Sequence, residues 1–290
     1  MIEPPVSTPC DLGAAYAAMA EHSPGERVQP IAGGTDLMVA LAGEIGQPPG
    51  RVVDLWALDA LRGIGLDGET IVIGALTTYT EIRRSPEIAR HVPALVEAAA
   101  NIGAAQIQNR GTLGGNIATA SPAGDTLPVL LATDASFVLG SARAERELPA
   151  EAFWTGYRRT ALAADELVLR VRIPIRADRS MRFRKVGTRR AQSISKVMLS
   201  LSWRGGREGP DGPWRDVRLA LGSVAPTPIR AHATEAALEG RRPTRATADA
   251  AASSLAGELR PIDDVRSTAE YRRLVAARLL HRLIREAGGW

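Results

Sequence analysis

The stretch Gly111–Asp125, GTLGGNIATASPAGD, decides how this chain is read. It holds four glycines, one proline, two threonines, a serine, an asparagine and a closing aspartate, with almost no bulky apolar side chain. A segment this bare is either a disordered linker or a surface shaped to hold something. Its flanks argue against the linker. Upstream, Pro93–Ile102 is Ala-rich and reads as a helix, with Pro93 in the first turn and Gly103 as a stop. Downstream, TLPVLLATDASFVLG reads as an apolar turn of helix leading into a strand. A linker has no need of Pro122 and Asp125 so close to a buried helix.

A second stretch, IAGGTDLMV (Ile31–Val39), has the same grammar: a regular element, adjacent glycines, a small polar residue, then an apolar run. Gly-Gly lets backbone N–H groups approach a ligand without a Cβ in the way and accommodates positive φ. Consecutive inward-pointing N–H groups make a concave anion site, to which Thr35, Thr112, Asn116 and Thr119 add short hydrogen-bonding groups. The pattern suits a diphosphate and needs no lysine. Taken singly, Gly33-Gly34-Thr35-Asp36 also fits a plain strand-to-helix turn capped by Thr35 or Asp36; two such segments in one chain favour the ligand.

A third glycine pattern is a decoy. Gly63-x-Gly65-x-x-Gly68 has dinucleotide-fingerprint spacing, but Asp67-Gly68 is a hairpin signal, and the β-branched run Ile71-Val72-Ile73 follows where a fingerprint requires a helix.

The remaining pattern divides the chain into units 1–57, 58–175 and 176–290. Thr8-Pro9 followed by Leu12, Ala15, Tyr16 and Met19 predicts a capped amphipathic helix that ends by Gly25. DELVLRVRIP places Leu167, Leu169, Val171 and Ile173 on one strand face. Strands are predicted around Met181–Val186, Ile194–Trp203 and Val217–Val224. A final helix is predicted with a Ser267-Thr268-Ala269-Glu270 capping box and a stripe of Tyr271, Leu274, Val275, Leu279 and Leu283 packed on them.

Composition narrows the function. The 290 residues are 45% hydrophobic, enough for a core, and contain no run of about 18 apolar residues that would span a membrane. The N-terminus does not read as a signal peptide. The lone Cys10 makes no internal disulfide and no iron–sulfur cluster, and fits a reducing cytoplasm. The four histidines, His22, His91, His232 and His281, are scattered, so no metal site is expected. Net charge is +4, but aromatics are only 4% and the arginines are spread, which argues against nucleic acid. Arg158, Arg159, Arg189 and Arg190 suit an acidic ligand or subunit instead.

AGGTDL and NRGTLGGNIATASPAGDTLPVLLATDA, followed in order by GYRRTAL, RKVGTRRAQSISKV and LGSVAPTPIRA, resemble the FAD-binding medium subunit of the molybdenum hydroxylases, the xanthine and carbon monoxide dehydrogenase type, over essentially the whole chain. The resemblance implies an α+β fold. A vanillyl-alcohol-oxidase-type (PCMH-type) FAD-binding domain of two α/β subdomains clasps an extended, noncovalent FAD, and a C-terminal α+β domain follows. By position, Ala32, Gly33, Gly34, Thr35 and Asp36 would lie along the diphosphate and nearby ribose, with Ile31 and Leu37 also counted among the cofactor-binding residues. Gly111, Thr112, Gly114, Gly115, Asn116 and Thr119 would face them. Asp125 would bond the sugar or adenine end, and Val168 would line the adenine side. Ile102 would sit over the flavin where some relatives place an aromatic, Lys185 would lie near the ring, and Gly187–Ser193 would flank it.

In the family, the molybdenum cofactor lies in a large subunit and iron–sulfur clusters in a small one. Electrons reach FAD in the medium subunit and leave to NAD, a quinone, oxygen or another acceptor, in an assembly expected to be a dimer of heterotrimers. Two other readings remain at this point: a stand-alone FAD-dependent oxidoreductase with its own organic substrate, and a scaffold that has lost FAD.

Overall fold

The computed structural model describes residues 4–21, 27–176, 178–189, 192–205 and 212–290. The chain begins with a parallel sheet in the order β1-β3-β2, built from β1 (Val6–Ser7), β2 (Val28–Ile31) and β3 (Arg51–Asp54). Pro30 is accommodated because β2 is an edge strand. The helix between β1 and β2 spans Leu12–Ala20 and starts later than Thr8-Pro9 suggested. Asp11 takes the cap, its carboxylate accepting from Ala14 N at 2.8 Å, and Ala15 and Met19 face the core. The expected stop at Gly25 lies outside the described residues, as do His22 and Arg190.

The next sheet has the order β4-β5-β10-β6-β7 with antiparallel pairing throughout. Its strands are β4 (Ile64–Asp67), β5 (Thr70–Gly74), β6 (Ser136–Gly140), β7 (Glu145–Pro149) and, after a separate hairpin of β8 (Trp154–Gly156) and β9 (Arg159–Thr160), β10 (Leu167–Pro174). The decoy glycines fall in the β4–β5 hairpin, where Asp67 pairs with Thr70 across Gly68 at φ 57°.

Helices Tyr79–Arg84, Pro86–His91, Pro93–Ala100, Ala105–Arg110, Leu113–Thr119 and Leu127–Ala132 fill the long connection from β5 to β6. Gly111–Asp125 is therefore partly helix and not a bare loop. Every residue of Leu127–Ala132 is buried.

The last sheet, β11-β12-β13-β14, comprises β11 (Arg179–Val186), β12 (Val197–Arg204), β13 (Arg215–Gly222) and β14 (Ile229–Arg230). Period-two alternation splits its faces. Val197, Leu199, Leu201 and Trp203 join Val217, Leu219 and Leu221 under the helices Arg245–Glu258 and Ala269–Gly288. Met181, Phe183, Met198 and Ala220 share one apolar cluster with the N-terminal region. Lys185 pairs with Met198 and is two residues from Phe183, so it is carried on this second face.

The last helix bears out part of the expected stripe, with Leu283 buried and Val275 and Leu279 packed against the core, and corrects its start. Thr268 is its N-cap and accepts from Tyr271 N at 3.2 Å, so the third helical position is Tyr271 and Glu270 completes no capping box. The buried positions are Arg272, Ala276, Leu280, Leu283 and Ile284, while Tyr271 and Leu274 are exposed. Arg272 turns the helix: it donates to Lys196 O and Ser223 O and pairs with Asp264 at 2.7 Å. These bonds draw in a position about 100° round from Tyr271.

Candidate functional site

Two joined hollows of about 710 and 830 Å3 form a groove that runs from the first sheet to the last. Thr35, Asp36, Tyr79, Asn116, Tyr157 and Arg158 line both and mark the junction. Ile31, Ala32, Gly33, Gly34, Leu37, Thr112, Gly114, Gly115, Thr119 and Val168 line the first hollow. Ile102, Asp125 and Lys185 line the second. Of the residues carried over as cofactor contacts, Gly111 alone stands behind the wall, where an added Cβ would meet Tyr79 Cε2 at 2.6 Å; of the described residues of Gly187–Ser193, Ser193 alone lines the second hollow.

The glycines serve different purposes. A Cβ on Gly33 would overlap the Arg110 carbonyl, so this glycine lets the two segments touch. Gly34 needs its freedom, at φ 77°. Gly114 packs on Ala75, whose Cβ would lie 2.6 Å from an added one. Gly115 faces open space apart from Thr112 Oγ1 at 2.9 Å. No glycine of the second segment takes positive φ.

The expected pair of amide cradles resolves into one. In the second segment the N–H groups are engaged: Leu113 donates to Thr77 O at 3.0 Å, Gly114 to Ala75 O at 2.8 Å, Gly115 to Thr112 Oγ1 at 3.1 Å and Asn116 to Thr112 O at 3.0 Å. The first segment differs. The N–H groups of Gly33, Gly34, Thr35, Asp36 and Leu37 have no acceptor among the described residues. Asp36 does not cap its helix with its side chain; its carboxylate accepts from Thr119 Oγ1 at 3.2 Å and ties the segments together. A row of free amides costs stability unless something accepts from it. That row fits an anion.

Lys185 and Asp125 form a buried pair at 2.6 Å, with 7% of each side chain exposed. Lys185 also donates to Asn101 O at 3.0 Å, and Ser195 Oγ donates to the other Asp125 oxygen at 2.6 Å. Burial pushes the Asp125 carboxyl up from its ordinary value, against the opposing pull of Lys185. The contact corrects the residue-by-residue expectation. Asp125 cannot mark the adenine end while Lys185 marks the flavin end of an extended ligand. Asp125 lies in the second hollow with Lys185 and Ile102, away from Val168.

Tyr79 was missed from sequence. It is 4% exposed, lines both hollows, and its hydroxyl has no hydrogen-bond partner among the described residues. Burial, with Asp36 and Asp125 adding to it, drives its pKa far up, so the hydroxyl keeps its proton. The available signal was local: Thr78 and Glu81 form a true capping box, which fixes Tyr79 as the first helical residue.

These features define a groove with a row of free amides, suited to an anionic ligand, within an α+β chain. The family described as FAD binding domain in molybdopterin dehydrogenase matches residues 3–176. The CO dehydrogenase flavoprotein C-terminal domain matches residues 182–287. The chain belongs to the FAD-binding medium subunits of the molybdenum hydroxylases, and is an oxidoreductase subunit. It is 30% identical over 284 residues to the carbon monoxide dehydrogenase medium chain of Hydrogenophaga pseudoflava, covering 96% of this chain and 95% of that one. It is 33% identical over 259 residues to the nicotine 6-hydroxylase medium subunit of Paenarthrobacter nicotinovorans, covering 89% of each. The solved H. pseudoflava carbon monoxide dehydrogenase superposes with TM-score 0.91 at 31% identity, covering 97% of this chain and 96% of that one. Quinoline 2-oxidoreductase from Pseudomonas putida 86 does so with TM-score 0.91 at 26% identity, covering 99% and 98%.

Proposed function

We propose that this chain holds FAD noncovalently along the groove and serves as the electron-transfer subunit of a larger molybdenum hydroxylase. The carrying observation is the row of unbonded amides from Gly33 to Leu37, which lines the first hollow and reaches the junction of the two at Thr35 and Asp36. The first hollow, with Ile31, Ala32 and Val168, would take the adenosine. The junction, with Thr35, Asp36 and Asn116, and the neighbouring Gly115 face of the first hollow would take the diphosphate and ribose. The second hollow, with Ile102, Asp125 and Lys185, would take the isoalloxazine. Bound there, the flavin would supply two-electron chemistry between a small iron–sulfur subunit and an external acceptor. The protein's part is position and electrostatics.

The same reading assigns substrate oxidation to a large molybdenum-cofactor subunit, in a dimer of heterotrimers in the cytoplasm. It keeps the division into 1–57, 58–175 and 176–290 that the extents of the three main sheets support. The named medium chains and subunits among its relatives support partner chains. Among the described residues no helix is long and apolar enough to cross a membrane.

The test is the colour and its bleaching. The purified chain should be yellow and release FAD on acid precipitation. In the complex, substrate of the large subunit should bleach the flavin; in the isolated chain it should not. A chain that takes up no FAD would sink the reading, and bleaching of the isolated chain by an organic substrate would replace it with a stand-alone oxidoreductase.

A further inference from the structure

The junction of the two hollows has a floor and a roof that the glycine segments do not supply. The floor is Tyr79, buried, with a hydroxyl that no described residue accepts from or donates to. The roof is the β8–β9 hairpin. Gly156 pairs with Arg159, so Tyr157 and Arg158 make a two-residue tip. The base of this hairpin is fixed in the core. Phe153 and Trp154 are buried and pack edge-to-face with Phe137, at 4.9 and 5.4 Å between centroids. Trp154 Nε1 donates to Ile117 O at 3.1 Å, which fastens the hairpin to the helix that carries Gly115.

The tip is unlike the base. Arg158 sits at φ 51°, in the left-handed region that non-glycine residues seldom occupy. It has no hydrogen-bond or ion-pair partner among the described residues, and it lines both hollows. That φ is what a two-residue hairpin tip requires; it sets Arg158, an exposed cation, on the junction that Thr35 and Asp36 of the amide row also line. Tyr79, Arg158 and the Thr35–Asp36 part of the amide row line the same junction, and an anion bound there would accept from each.

We propose that Tyr79 and Arg158 complete the anion-binding centre of the groove, the Tyr79 hydroxyl donating from the floor and the Arg158 guanidinium from the hairpin tip to the diphosphate of the bound dinucleotide. The inference rests on the FAD reading and names two positioning residues that the glycine motifs do not contain. The raised pKa keeps Tyr79 a donor beside an anion. Asp36 at the junction is held by Thr119, and leaves Arg158 as the unpaired cation there.

The full-length chain, stripped of flavin, is titrated with FAD by fluorescence quenching at low and high salt, after the melting temperature of each apoprotein is recorded. Tyr79→Phe removes one oxygen and should raise the Kd for FAD about tenfold at both salt concentrations. Arg158→Gln should raise it about tenfold at low salt and less at high salt, because salt screens an exposed ionic contact. Arg158→Lys should recover part of the loss. Arg159→Gln, on the same hairpin but outside the groove, should bind as wild type.

Wild-type affinity in either the Tyr79 or the Arg158 variant removes that residue from the site. An equal loss in Arg159→Gln reduces Arg158 to net charge, and a fall in apoprotein melting temperature that tracks the loss of affinity makes the role one of packing; both overturn the proposal. Failure of the wild-type chain to bind FAD is seen before any variant is read, and takes down the parent reading with this one.

Discussion

Lys185 Nζ and Asp125 Oδ2 lie 2.6 Å apart, and the two residues come from different parts of the fold. Asp125 ends the glycine-rich segment, and Lys185 is carried by β11 of the last sheet. Removing one partner of a buried pair strands the other, at a cost of about 3 kcal/mol. Lys185→Met should therefore lower the urea midpoint sharply, and Asp125→Asn in the same chain should restore much of it, because no charge is then buried. The pH dependence of Lys185→Met carries a sign. Burial raises the folded carboxyl above its ordinary 3.8, so the folded chain holds the proton more tightly than the unfolded one. Stability of the variant should fall as pH rises above the carboxyl's ordinary value. A midpoint equal to wild type in acid and at neutral pH would show that the pair contributes nothing.

The glycines should separate by role. Gly33→Ala forces a Cβ into the Arg110 backbone, and we expect loss of fold stability together with loss of FAD. Gly115→Val meets only Thr112 Oγ1 and otherwise fills the groove, so FAD content should collapse while the circular dichroism melt moves little. Gly65→Val, in the hairpin decoy with nothing within 4 Å, should leave FAD content unchanged. Equal loss of FAD from well-folded Gly65 and Gly115 variants would put the site elsewhere.

Glu166, on the rim of the first hollow, accepts from Arg146 Nε and Nη2 at 2.7 Å each and from Ala163 N at 2.8 Å. The hydrogen bonds from Arg146 hold its carboxyl below the ordinary 4.5, with burial opposing and the Ala163 amide helping. A depressed folded value contributes stability that is present above the unfolded pKa and is lost as pH falls through the folded one. Glu166→Gln should cost about 1–2 kcal/mol at pH 7 by urea unfolding, and its gap from wild type should close as pH drops below about 4.5. A gap that stays constant into acid would assign the effect to shape and not charge.

Asp134 accepts from Arg218 at 2.9 Å and Arg230 at 3.3 Å and pairs with Arg176 at 3.1 Å, joining the loop before β6 to the last sheet. Arg230 is 8% exposed and also held by Glu235 at 2.5 Å, whereas Arg218 is 26% exposed. Asp134→Ala should destabilise the chain by about 2–3 kcal/mol and steepen its salt dependence less than a surface pair would. A change under about 0.5 kcal/mol in the same unfolding assay would mark the network as solvated.

Local sequence was enough for the elements whose signals are local. Asp67-Gly68 between alternating apolar runs specified the β4–β5 hairpin and exposed the fingerprint as chance. Leu167, Leu169, Val171 and Ile173 specified β10, and the apolar run at Leu127–Ala132 specified a buried helix. The two glycine segments supplied a continuous part of the groove wall but not Tyr79, Ile102, Tyr157, Arg158 or Lys185; glycine marks places where backbone approaches backbone or ligand, and that demand is written in the residue itself.

What the sequence left open depended on contacts between distant residues. Composition said that both glycine segments had free amides; only the packing of Gly114 against Ala75 and Leu113 against Thr77 showed that the second segment had spent its donors and the first had not. The last helix turned by one position because Arg272 found carbonyls on two loops. Asp125 came to the second hollow beside Lys185 because β11 delivered Lys185 there, and Tyr79 and Arg158, far apart in sequence, line the same junction. Periodicity and propensity act within a few residues, so they determined the elements; a side chain's partner is chosen by which elements pack together, and the folded chain alone decided that.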